Sequence, residues 1–108
     1  MLSGYRIVWL AVFFDLPVET KAMRKAATRF RNDLLDLGFE RAQFSVYMRF
    51  FASDKQADTV CTNIEKAVPE YGSVKILRIT DKQYERIITY HGRSRDKPAK
   101  TPEQYEMF

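Results

Sequence analysis

Cysteine and histidine each occur once in these 108 residues. Cys61 alone cannot close an intrachain disulfide, so a reducing compartment, the cytoplasm, is expected. With His91 it cannot build a zinc site within one chain either. Glycine is equally scarce: four scattered residues, and no phosphate-cradling loop. Long apolar runs are missing as well. The longest, Ile7–Phe14, falls far short of the ~20 residues a membrane helix needs, so no membrane partner is expected. Placed after Arg6, that run imitates a signal peptide. Asp15 and Pro17 follow it without a small-x-small cleavage site, and a buried strand explains it better.

What is present describes one globular domain. Apolar residues make up 45% and charged residues 30%, which excludes a disordered chain. A chain of this size buries roughly 65% of its unfolded surface, enough for a core without staples. Eighteen Lys and Arg against fourteen Asp and Glu give a net charge of +4. That excess permits a polyanionic partner without requiring one.

Tyr5–Phe14 is rich in β-branched and aromatic residues and does not alternate, as in a central strand buried on both faces. Glu19–Leu37 reads as a helix. Met23, Ala27, Phe30, Leu34 and Leu37 form its apolar stripe, and Gly38 sits where a left-handed cap belongs. Lys21, Arg24, Lys25, Arg29 and Arg31 fall on the opposite side. Phe39–Phe51 returns to period two, as two short strands broken near Gln43–Ser45. Ser53 and Gln56 spell a capping box for a second helix, whose inner face is Ala57, Val60, Cys61, Ile64, Ala67 and Val68. Tyr71–Ser73 is a turn; Val74–Ile79 and Tyr84–Tyr90 read as strands. The order β-α-β-β-α-β plus one strand predicts a ferredoxin-like α+β sandwich over residues 1–92. Residues 93–108 form a flexible C-terminal arm ending in a docking strand.

Asp15 follows eight apolar residues at the end of a central strand. It reads equally as a metal-binding carboxylate and as an acid favouring the following helix dipole. The five cations of the first helix are either a solvated face or phosphate contacts. Ser45, Tyr47 and Arg49 share a strand face, which holds a phosphate or is an ordinary polar sheet surface. His91 lacks a matching acid, base or nucleophile. Trp9 and Cys61 read as core.

Six segments occur in a particular order: Phe13-Phe14-Asp15-Leu16-Pro17, Arg24-Lys25-Ala26-Ala27, Gly38-Phe39, Gln43-Phe44-Ser45-Val46-Tyr47, Gly72-Ser73-Val74, and Thr80-Asp81-Lys82-Gln83-Tyr84-Glu85-Arg86. Together they resemble the CRISPR-associated Cas-two (Cas2) family, in the branch that accompanies the RNA-guided effector Cas-nine. The resemblance spans roughly Tyr5 to Gly92. It implies a ferredoxin-like fold, a two-fold homodimer and work with the Cas-one integrase in acquiring new spacers for antiviral defence. It also implies a metal-dependent endonuclease acting on RNA or DNA. Asp15 matches the family's magnesium-binding acid, Ser45 the serine of the Gln-x-Ser-Val-aromatic motif, and Arg24 and Lys25 the early helix cations.

Mg²⁺ or Mn²⁺ takes about six oxygen ligands, and one Asp15 is a poor site. A two-fold axis through the ends of the first strands would supply the second Asp15. Two function classes follow: a metal-dependent phosphodiesterase, and a non-catalytic dimeric scaffold. The scaffold would grip duplex DNA, or single-stranded RNA, through Arg24, Lys25 and Arg31. The terminal Tyr105-Glu106-Met107-Phe108 is expected to dock on the integrase, with Tyr105 and Met107 facing one way and Phe108 the other.

Overall fold

The computed structural model describes residues 6–97. In chain order they form β1 (Val8–Asp15), α1 (Lys21–Asp36), β2 (Glu40–Gln43), β3 (Val46–Phe51), α2 (Asp54–Ala67), β4 (Ser73–Thr80), α3 (Asp81–Glu85), β5 (Tyr90–His91) and β6 (Ser94–Arg95). Four strands make one antiparallel sheet in the order β2-β3-β1-β4. This is the ferredoxin-like arrangement expected from the sequence, with β1 inside the sheet.

Alternate residues of β1 have different neighbours. Val8, Leu10, Val12 and Phe14 face the two long helices and pack with Phe30, Leu34, Phe39, Tyr47, Phe51, Ala57 and Ile64 in a dry core. Trp9, Ala11, Phe13 and Asp15 face the other way. The long helices leave that side uncovered, and Phe13, Phe50 and Leu77 are 40%, 47% and 50% exposed there.

The helix ends are set by local chemistry. Thr20 Oγ1 accepts from Met23 N at 3.0 Å and starts α1 two residues after the expected Glu19. Gly38 closes it at φ 86°, where its N–H bonds Leu35 O and the Phe39 N–H bonds Leu34 O. That is the Schellman pattern, with Phe39 and Leu34 both buried beside it. Ser53 Oγ accepts from Gln56 N at 3.2 Å, and Gln56 Oε1 accepts from Ala52 N at 3.1 Å. On the outside, Arg78 ties β4 to α2, reaching Asp58 at 2.6 Å and Asp54 at 3.0 Å. Its hydrogen bond to Asp58 raises the guanidinium pKa further above its ordinary value.

Two expectations fail here. Tyr84–Tyr90 is not a strand. Thr80 Oγ1 accepts from Gln83 N, and Gln83 Oε1 accepts from Thr80 N, a complete capping box that opens α3. The helical turn brings Tyr84 flat onto Trp9, ring centroids 3.6 Å apart, while Trp9 Nε1 donates to the buried Asp81 at 2.9 Å. Trp9 is buried as expected, but by α3 rather than by the main core. The second failure is the start of the arm. Gly92-Arg93 is a hairpin turn joining β5 to β6, so Arg93–Arg95 are structured. Among the described residues no helix is long and apolar enough to cross a membrane.

Candidate functional site

Asp15 ends β1 with its side chain exposed, on the uncovered side of the sheet. Phe14 N donates to Ser45 O at 3.1 Å, which holds the β2–β3 turn beside the end of β1. The two residues expected in catalysis therefore lie at the same end of the molecule. On the other flank Asp15 pairs with Ser73 of β4. Gly72 makes that approach possible. Its φ is 97°, and a Cβ there would lie 2.6 Å from Asp15 O, 2.9 Å from Leu16 Cδ2 and 3.0 Å from Pro17 Cδ. Any side chain would push the turn away from Asp15. The sequence marks Gly72 as a turn residue, but nothing in it reveals this contact.

The three expected nucleic-acid contacts separate. Lys25 is exposed on α1. Arg24 is exposed too, but one guanidinium nitrogen donates to Val18 O at 3.0 Å and Glu19 O at 3.5 Å, holding the loop before α1. Arg31 does not point outward. Its guanidinium carbon lies 5.0 Å from the Phe44 ring centroid and 5.7 Å from that of Phe14. Cation–π attraction folds it back toward the β2–β3 turn, where Phe44 is 71% exposed.

The polar strand face is not a phosphate cradle. Tyr47 is buried. Arg49 Nη1 donates to Leu37 O at 2.6 Å, and its guanidinium lies 4.4 Å from the Phe51 ring centroid. It satisfies an orphan carbonyl at the end of α1. Tyr105, Met107 and Phe108 lie outside the described residues.

Among the described residues, no three His, Cys, Asp or Glu side chains converge on a metal position. One chain offers Asp15 as a single carboxylate, the lower end of the one or two that a Mg²⁺ site usually takes from protein.

Residues 8–87 match the family described as CRISPR associated protein Cas2. The chain belongs to the Cas2 family. A protein of Paracidovorax avenae named CRISPR-associated endoribonuclease Cas2 is 58% identical over the full length of both chains. A protein of the same name from Flavobacterium psychrophilum is 42% identical, over 99% of this chain and 93% of its own. A solved structure described as a crystal structure of cas2 superposes with a TM-score of 0.56, covering 88% of this chain and 97% of that one. At 19% identity it supports the Cas2 fold alone. A general role in CRISPR adaptation goes with membership of this family.

Proposed function

We propose that this Cas2 chain acts as a homodimer that hydrolyses phosphodiester bonds at a site made by Asp15 from both copies. It works beside the Cas-one integrase in the prokaryotic cytoplasm. The observation that carries this is the uncovered sheet face. Ala11, Phe13, Val46, Met48, Leu77 and Ile79 line a groove of about 490 Å³ on it. Asp15 stands at the end of the same row of β1 side chains.

Two such faces packed about a two-fold axis would remove the apolar groove from water and set the two Asp15 carboxylates at one interface. A pair of carboxylates is the upper end of the one or two that a Mg²⁺ site usually takes from protein, the rest being waters and substrate phosphate. A divalent ion held there would neutralise charge on the scissile phosphate. The chain's own part is to hold the pair in place. Gly72 fixes the strand end, Ser45 flanks it, and the exposed cations of α1 bring the polyanion close. The names of the curated relatives support RNA as one substrate.

A second reading is a scaffold that binds duplex DNA without cutting it. The lone carboxylate per chain and the exposed Lys21, Lys25 and Arg29 favour it. Nuclease assays of wild type and Asp15→Ala, with Mg²⁺ and with chelator, separate the two. The first reading predicts that wild-type cleavage is lost both in the mutant and on chelation. Equal cleavage by mutant and wild type would overturn it. Intact spacer integration by Asp15→Ala would support the scaffold.

A further inference from the structure

A second concavity lies on the helix side of the same end of the molecule. It holds about 190 Å³ between the start of α1 and the loop before β4, with Pro17, Met23, Ala26, Pro69, Glu70 and Tyr71 among its walls. This is small for a drug-sized ligand but suits a flat ring system. The Tyr71 ring is 58% exposed at the rim, although nothing in the core needs an aromatic there. Lys21 and Lys25 are exposed beside Ala22 and Ala26 of the wall, and the first turn of α1 carries no acid. Tyr71 precedes Gly72, the residue packed against the Asp15 carbonyl.

We propose that this cleft takes one unpaired nucleobase, a guanine, from a single strand whose neighbouring phosphates lie along the start of α1. The proposal rests on the reading of the chain as a nucleic-acid-processing protein and names the form of substrate it favours. Three features argue for this occupant. A tyrosine beside an apolar slot is a stacking platform, and every base offers a π-face to it. The cations on one side suit a phosphate backbone. Glu70 adds selectivity. A carboxylate accepts hydrogen bonds only. Guanine's Watson–Crick edge presents two adjacent donors, N1–H and the exocyclic amine, which match its two oxygens. A paired base cannot enter, because its edge is occupied and its faces are stacked. A strand leaving the cleft has to round the end of β1 to reach Asp15 on the other side of the sheet, which would make Tyr71 a positioning residue for cleavage there.

Equilibrium binding of labelled short single strands, RNA and DNA separately, tests this. Each strand carries a guanine, an adenine or an abasic site at its centre; a duplex with that guanine paired is the control. Wild type is expected to favour the guanine strand about tenfold, as one base–aromatic stack contributes. Tyr71→Ala should lower its affinity to the abasic level without changing the salt dependence, and Tyr71→Phe should keep it. Glu70→Gln should reduce the preference for guanine over adenine. Tyr71 is exposed, so thermal melts of the variants should match wild type. Equal affinity of wild type and Tyr71→Ala for the guanine strand, with salt-dependent binding retained, would overturn the cleft and leave the function standing. Failure of wild type to bind any strand at low salt would overturn both.

Discussion

The two faces of the central sheet use the same strands and reach opposite states. On one, Leu10, Val12, Phe30, Leu34 and Ile64 are fully or almost fully buried under two helices. On the other, one residue along, Phe13, Phe50 and Leu77 are 40–50% exposed, and among the described residues the short α3 and the segment after it give this face its partial cover. Composition does not distinguish these faces: both are apolar. What differs is the supply of helices, two long ones for one face and a five-residue turn for the other. An apolar face that the described residues leave open is the kind of surface that marks interaction sites.

The comparison can be broken most sharply at Phe30. Phe30→Ala should cost about 3–5 kcal/mol in urea unfolding, because it empties a filled core. Leu77→Lys, on the open face, should leave the fold of the diluted chain almost as stable as wild type. If the two variants unfold alike, the faces are equivalent and the contrast is an illusion of one chain seen alone.

A smaller effect is expected where the open face is partly covered. Asp81→Ala removes the acceptor of the buried Trp9 Nε1 and should cost about 1–3 kcal/mol. Amide exchange in residues 81–91 should speed up more than in β1. Among the described residues, one Asp81 oxygen is buried without a hydrogen-bond partner. Asp81→Asn keeps an acceptor for Trp9 and should be milder. Uniform loss of protection across the sheet in Asp81→Ala would show that α3 belongs to the core and is not a local cover.

The smallest effect concerns the outer helix surface. Each phosphate contact removed should lower the magnitude of the log–log salt slope of duplex binding by about 0.9. Lys25→Ala should show that change in full. Arg31→Ala should show less, since Arg31 already lies against Phe14 and Phe44. Equal slopes for wild type and Lys25→Ala would mean the basic face is only solvated.

Much of this was legible in the sequence because local signals agreed with the tertiary outcome. The unbroken run Ile7–Phe14 reads as a strand buried on both faces, which holds over Val8–Val12 and stops at Phe13, exposed on the open side. Gly38 and Ser53 marked helix ends by chemistry that acts within a few residues. Position 15 stood out because a carboxylate after such a run needs a reason. Tyr84–Tyr90 has β-forming composition, but the Thr80–Gln83 capping box, the signature that Ser53 and Gln56 also carry, starts a helix just before it. The stacking of Tyr84 on Trp9 spans 75 positions and leaves no local trace. Arg31 fails as an outward cation for a similar reason: its rings come from β1 and the β2–β3 turn. The cleft at Tyr71 unites a helix start with a loop some 45 positions on, and no spacing rule joins them.

The central claim is that the open sheet face is where two copies meet, so that Asp15 acts as a pair. Light scattering of wild type and Leu77→Lys across a range of micromolar concentrations tests it most directly. The account predicts twice the chain mass for wild type, and the single-chain mass for a folded Leu77→Lys that no longer cleaves. A Leu77→Lys dimer of undiminished stability would contradict it.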